Sequence, residues 1–448
     1  MPNINILYLP IGRKTFDLES GEIYRKESQI FLEEQCSNVY APDNILTSVE
    51  NMNDFLNRIP KDKIDIIIYQ SITFADAEFI HKVVNSFSQP VIVWSVREPV
   101  VGQRLMLNSL TGGNSTCHAL RSYKRFYHFV FGNPDEKNVL KQLESYFRTE
   151  EQVKKISQLT IGVIGEHPPG FYFCSTNESK LKSKTGVNIH KIDLLDSLNK
   201  CLHISEKESL PIISEIENQI VGVDIGADEV KKFAKFATYI KSYIEKNNVN
   251  ALAIRNWPEF FTEFGAAAGD TSISYFTENG IPSANESDIH GALSMYILQE
   301  IGEGPPFLGD LVHLNDENNS VTFWHDGAGA FSLANPKTGA VAGVHPNRKL
   351  GLSMDFGLKS GEVTIARFSE INNEGDYQLL IMKGEALDTP QQFTGTSVEV
   401  RLENNAKNIV SSLMKKGFEP HYALVYADVA EEVAKIGERL GLEVIRYY

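Results

Sequence analysis

Ile281-Pro-Ser-Ala-Asn-Glu286-Ser-Asp288-Ile-His290-Gly291 is the stretch on which the reading of this chain turns. It places two carboxylates, two residues apart, where a strand should end and a helix begin. In open α/β sheets that is where ligands bind. The helix it opens should run from Ile289 to Ile301, and the cluster Gly302, Gly304, Pro305, Pro306 should break it sharply. The segment therefore marks the end of one kind of architecture and the start of another.

Upstream, apolar runs of strand length alternate with amphipathic helices. In the first 150 or so residues the strands are Ile4 to Leu9, Ile64 to Tyr69, Val91 to Val96 and Phe126 to Phe131. Helical patterns cover Arg25 to Gln35, Val49 to Arg58, Glu78 to Phe87 and Asp135 to Arg148, and charged Thr149 to Lys155 has the look of a connector. A second alternating unit follows, with strand Leu159 to Gly165, helix Glu229 to Lys246 and strand Val249 to Ile254. Buried strands alternating with helices predict parallel sheets covered on both faces. Downstream of the break, Val321 to Trp324, Glu362 to Phe368, Gln378 to Lys383 and Thr396 to Leu402 are short, alternating and rich in Val, Thr and Phe, which predicts antiparallel strands. A helix, Val429 to Leu440, and a strand, Leu442 to Tyr447, end the chain. The expected fold is α/β: two Rossmann-like parallel-sheet domains, 1–155 and 156–302, then a β-rich, barrel-like domain, 303–448. At about 150 residues per domain, a length of 448 agrees with three.

Composition narrows the function. A net charge of −15 with no local basic stripe argues against a nucleic-acid partner. No apolar run reaches the ~18 to 20 residues of a membrane helix, and the N-terminus lacks the basic flank of a secretory signal. Cys36, Cys117, Cys174 and Cys201 show no paired spacing and read as reduced thiols, so a cytoplasmic protein is expected. Gly162-Val-Ile-Gly165 and the loop Leu110-Thr-Gly-Gly-Asn114 lack the spacing of phosphate-binding motifs. No G-x-S-x-G elbow is present.

Chemistry gathers around Glu286. Asp310 follows Phe307-Leu-Gly just beyond the Gly/Pro break, and a carboxylate in a tight apolar loop needs a partner. A divalent cation would satisfy both Glu286 and Asp310. Equally, Glu286 or Asp288 could cap the helix that begins at Ile289. A third ligand would separate these readings, and His290, His325, His345 and His421 are the candidates. His421 is distinctive because it opens an apolar segment after Gly417 and Pro420.

Ala253-Ile-Arg-Asn-Trp-Pro-Glu-Phe-Phe-Thr-Glu-Phe-Gly265 followed by Gly280-Ile-Pro-Ser-Ala-Asn-Glu-Ser-Asp-Ile-His-Gly-Ala-Leu293 resembles the L-fucose and L-arabinose isomerase superfamily. The resemblance spans nearly the whole chain, including the order of its domains. It implies Glu286, Asp310 and His421 as metal ligands, and this oxygen-rich set suits Mn²⁺ or a similar divalent cation. It implies an aldose–ketose isomerase working through an enediol, with Glu286 and Asp310 as base and acid, and a homo-oligomer. Asn256 and Asn285 stand where relatives often carry Cys, and Tyr422 follows His421 where a second His is frequent, so the sugar is the open question. Expected sugar contacts are Arg104, Asn114, Arg255, Trp257, Asp288, His325 and Arg348, with Asp288 either holding a sugar hydroxyl or orienting a ligand from behind. Basic residues at strand ends favour an anionic hexose, and one activity known among short relatives is the isomerisation of sulfoquinovose to sulfofructose. L-Fucose or a pentose is the neutral alternative. A non-catalytic sugar binder is the alternative of another class.

Overall fold

The computed structural model describes residues 2–372 and 375–448. The chain divides into two compact units, Met1–Lys154 and Lys155–Tyr448. The first alternates β1 (Asn5–Ile11), α1 (Leu18–Gln35), β2 (Asn38–Tyr40), α2 (Val49–Leu56), β3 (Ile66–Ser71), α3 (Glu78–Ser86), β4 (Val91–Ser95), α4 (Ser109–Ser122), β5 (Tyr127–Phe131) and α5 (Lys137–Gln158). Its five strands are parallel in the order β2-β1-β3-β4-β5. Every residue of β3 and β4 is buried, as a sheet covered on both faces requires.

Two local expectations fail here. Thr111-Gly-Gly-Asn114, expected as a loop, lies inside α4. The glycines are there for packing: a Cβ on Gly112 would sit 2.3 Å from Ser71 Oγ, and one on Gly113 would sit 2.1 Å from Ser95 Oγ. The helix thus presses onto the ends of β3 and β4. Thr149 to Lys155, expected as a connector, is helical throughout as part of α5. Glu150 is buried there, and Glu151, Lys154 and Lys155 are half-buried, so the segment packs rather than links.

The second unit begins with β6 (Thr160–Ile164), α6 (Glu178–Thr185), β7 (Asn188–Ile192), α7 (Leu194–Cys201), α8 (Glu206–Glu217), β8 (Ile220–Val221), α9 (Asp228–Asn247), β9 (Ala251–Ile254), α10 (Glu259–Thr262), α11 (Ala268–Glu278), β10 (Ser283–Asn285) and α12 (Ile289–Gly302). Four of these strands form a parallel sheet in the order β10-β9-β6-β7. Then follow β11 (Phe307–Asn315), β12 (Ser320–His325), β13 (Ala340–Gly343), β14 (Ser353–Met354), β15 (Phe356–Gly357), β16 (Gly361–Asn372), β17 (Asp376–Ala386), β18 (Thr396–Leu402), α13 (Ala406–Lys416), β19 (His421–Val425), α14 (Ala430–Arg439) and β20 (Glu443–Tyr447).

The β-rich part is an eight-stranded sheet, β15-β18-β12-β11-β19-β16-β17-β20, in which β17 also pairs with β18. That extra pairing closes β18, β12, β11, β19, β16 and β17 into a ring. Gly384 sits at the closure, where a Cβ would meet Arg401 O at 2.4 Å. One buried cluster takes in Ile254 and Phe260 from the parallel sheet region together with Phe307, Phe323 and Tyr422 from the ring. Among the described residues no helix is long and apolar enough to cross a membrane.

Candidate active site

The ends of β9, β10 and β12, the start of β19 and the start of α12 lie around one centre in the second unit. β9 and β10 run side by side with Asn285 opposite Ile254, so the chain leaves both strands at the same level. Asn256 then accepts the Glu286 backbone N–H on its Oδ1 (3.1 Å). Trp257 Nε1 donates to Glu286 Oε1 (2.8 Å). Glu286 and Ser287 both take positive φ, 58° and 55°. Consecutive left-handed non-glycine residues cost energy and persist only where their surroundings hold them. Here the strained turn aims the Glu286 carboxylate inward while Asp288 begins α12.

The ring supplies the facing side. On the antiparallel pair β11 and β19, Asp310 stands directly opposite His421, and on its other side Asp310 stands opposite Trp324 of β12. His325, the last residue of β12, follows. His421 Nε2 lies 3.1 Å from Glu286 Oε2 and 3.5 Å from Asp310 Oδ1. Despite that proximity, neither Glu286 Oε2 nor His421 Nε2 has a hydrogen-bond partner of acceptable geometry, and His325 Nε2 has none either. Buried polar atoms are seldom left so.

Ligand atoms of Asp310, His325 and His421 lie within 4.8 Å of one another, as do those of Cys174, Glu286 and His421. The two groups share His421, and their oxygen and imidazole donors are of the kind that fits a divalent cation. Electrostatics agrees. Burial works against a charged His421 ring, yet Asp288, Cys174 and Glu286 around it outweigh burial and raise its proton affinity well above that of a free imidazole. The cluster is one that attracts positive charge.

Behind each histidine stands a carboxylate. His421 Nδ1–H donates to Asp288 Oδ2 (2.9 Å), Asp288 Oδ1 accepts from Gly291 N–H (2.9 Å) as the N-cap of α12, and Arg367 grips both oxygens. Burial would raise the Asp288 carboxyl, but Arg367 and His421 hold it well below the usual range. His325 Nδ1 meets Asp326 Oδ1 at 2.5 Å, and Asp326 Oδ2 accepts from His345 Nε2 (3.1 Å). Two backbone N–H groups, of Asn347 and Arg348, point at His345 Nδ1 (both 3.2 Å), which makes Nδ1 the acceptor and Nε2 the donor. Asp270 lies beside this pair; burial, then Asp326, raises its carboxyl well above the ordinary value.

The structure therefore brings together Glu286, Asp310, His421, His325, Asp288 and Trp257. It places the remaining expected residues differently. Arg255 is bound to Glu259 through two hydrogen bonds (Nε–Oε2 2.8 Å, Nη2–Oε1 2.5 Å). Arg348 is exposed, its guanidinium 5.9 Å from the centre of the Phe261 ring. Arg104 and Asn114 belong to the first unit, both exposed, and Arg104 Nη2 reaches Thr15 O at 3.5 Å. Sequence reasoning missed Asp326, Arg367 and Cys174. Asp326 was within reach as the neighbour of His325; nothing local marks the other two.

The C-terminal part, residues 347–447, matches the model of the L-fucose isomerase C-terminal domain. Over all 448 residues, and over the whole length of the relative, the chain is 53% identical to a protein named sulfoquinovose isomerase from Priestia megaterium (strain ATCC 12872 / QMB1551). It is 50% identical over 99% of both chains to the one from Alkalicoccus urumqiensis, and 37% identical over the full length of both to the one from Clostridium sp. (strain MSTE9). With strand ends, ring and acid–imidazole cluster of this kind, and full-length identity at this level, the chain belongs to the sulfoquinovose isomerase family, whose fold is L-fucose isomerase-like.

Proposed function

We propose that the protein interconverts sulfoquinovose and its ketose, sulfofructose, by moving a proton between C1 and C2 through an enediol. The observation that carries this reading is the pair of buried, unpartnered atoms Glu286 Oε2 and His421 Nε2, facing each other beside Asp310. Two carboxylates on either side of the reacting carbons can act as base and acid. Trp257 fixes one oxygen of Glu286 and leaves the other aimed at the centre. Asp310, with 30% of its side chain exposed, is the member of the cluster that a substrate meets from solvent.

Glu286, Asp310 and His421, with His325 beside them, would hold a divalent cation, for which Mn²⁺ is our choice. Such an ion supplies charge compensation for the two sugar oxygens that flank the migrating proton. Asp288, with all its acceptor sites filled, orients His421 rather than touching sugar. Arg348, exposed, is free to meet an anionic substituent, and Arg255 is already neutralised by Glu259. Arg104 and Asn114 stay in the proposal as substrate contacts on the resemblance alone, as do the homo-oligomer and the cytoplasmic location. We read the closed ring of strands as barrel-like, and 156–302 and 303–448 as two domains grown around one core.

The test is a ketose-forming assay on sulfoquinovose, L-fucose and a pentose with Mn²⁺ present. Turnover of sulfoquinovose well above the neutral sugars supports the proposal. Preference for a neutral sugar moves the assignment to that sugar, and binding without turnover of any of them leaves a sugar-binding protein.

A further inference from the structure

Arg367 is the feature least accounted for by folding alone. It lies in β16, its side chain is fully buried, and it faces α12 across the junction between the parallel sheet region and the ring. A permanently charged guanidinium in such a place is costly unless every contact is good. Its contacts converge on one residue: Nη1 donates to Asp288 Oδ2 and Nη2 to Asp288 Oδ1 (3.2 Å). Nε has no partner and faces Glu419 Oε2 at 3.6 Å.

An ionised carboxylate has about four acceptor sites. Asp288 fills them with Arg367 twice, Gly291 N–H and His421 Nδ1–H. Nothing is left over for a sugar hydroxyl or a cation. What the arrangement does instead is fix a direction. Asp288 is held in place, because Arg367 grips both oxygens and the Gly291 N–H binds Oδ1. With Asp288 immobile, the ring of His421 can satisfy Nδ1–H in one orientation only, and that orientation sends Nε2 toward Glu286 Oε2 and Asp310 Oδ1.

We infer that Arg367 is a positioning residue for cation binding: through Asp288 it holds the His421 ring so that Nε2 faces the ligand cluster. The inference rests on the reading of Glu286, Asp310 and His421 as a cation site and names the part of the chain that prepares it. Partners of this kind behind a metal-binding histidine commonly tune affinity by about 10- to 100-fold. Arg367 touches neither the sugar nor the ligand atoms, so its effect should travel through affinity for the ion.

The experiment uses the full-length protein stripped with EDTA and titrated with Mn²⁺ without sugar, free Mn²⁺ being read by electron paramagnetic resonance. Thermal unfolding and isomerase activity are followed alongside. Arg367→Lys keeps the charge and loses the two-pronged grip. It should fold, weaken Mn²⁺ binding by about 10-fold or more, and recover most of its kcat when Mn²⁺ is raised in proportion. Arg367→Met leaves Asp288 uncompensated; if it fails to fold, the double variant Arg367→Met/Asp288→Asn removes both charges and should fold while binding Mn²⁺ as weakly as Arg367→Lys. A folded Arg367→Lys that binds Mn²⁺ within about twofold of the wild type overturns the inference, because a purely structural arginine would change unfolding and leave affinity alone. A wild type that takes up no Mn²⁺ overturns the cation-site reading itself, and this inference with it.

Discussion

His421 and His325 approach the same centre from β19 and β12, the two strands that flank β11 in the ring, each with Nδ1 against a carboxylate and Nε2 unpartnered. What stands behind the two carboxylates differs. Asp288 is clamped by Arg367, whose charge is permanent, and by the N-terminus of α12. Asp326 leans on His345, whose Nδ1 accepts two backbone N–H groups, beside Asp270, a carboxyl that burial and then Asp326 raise above its ordinary value. The contrast teaches that one imidazole is backed by a carboxylate that a guanidinium grips at both oxygens, and the other by a carboxylate that a second imidazole holds at one oxygen. The two-pronged charged grip suits a group that must keep one geometry through turnover.

The largest expected effect removes what both arms converge on. Glu286→Gln or Asp310→Asn should lower kcat by roughly 1,000-fold, since proton transfer by a positioned carboxylate contributes about 10² to 10⁴. Loss in only one of the two variants would leave a single carboxylate doing both proton transfers. Next, Asp326→Asn should lower kcat/KM by about 10-fold, at the mild end for a residue behind a ligand. If its loss in Mn²⁺ affinity exceeds that of Arg367→Lys, the ranking of the two arms is reversed.

Removal of the Trp257 donor, in Trp257→Phe, deprives a buried carboxylate of one hydrogen bond, worth about 1.5 to 3 kcal/mol when the acceptor is charged. A fall in kcat together with a lower unfolding temperature is the expected pattern, and no change in kcat would mean that Glu286 is aimed by its backbone alone. The smallest effect belongs to Asp270. A carboxyl whose folded-state proton affinity is raised contributes stability that is complete below the unfolded value and is lost as pH rises through the folded one. Asp270→Asn should therefore stabilise the protein by roughly 1 kcal/mol near pH 8, and the gain should vanish near pH 4. A gain independent of pH in thermal unfolding would show that the buried acid carries no such penalty.

The difference between the arms also explains what could be read from the sequence. Asp326 follows His325 directly, so that pair was visible in Trp324-His-Asp-Gly and was overlooked rather than hidden. Arg367 and Asp288 are 79 residues apart, joined only when β16 packs against α12. No periodicity announces such a contact. Glu286 and Asp288 were legible because a carboxylate pair at a strand-to-helix turn is unusual: Asp288 caps α12, while Glu286 faces His421. The strands of the ring were legible from alternation, but its closure depends on the pairing of β17 with β18, which is a matter of register and of one glycine, Gly384. The basic residues were the weakest part. A strand-end arginine looks like an anion site until its own neighbour claims it, as Glu259 claims Arg255.

The central claim is that the Glu286–Asp310–His421 cluster holds a divalent cation and isomerises sulfoquinovose. It is tested most directly by following ketose formation by NMR with EDTA-stripped protein, with and without added Mn²⁺, in the wild type and in Glu286→Gln. Ketose formation that requires Mn²⁺ and disappears in Glu286→Gln is the predicted result. Undiminished turnover in the presence of EDTA, or a fully active Glu286→Gln, would contradict it.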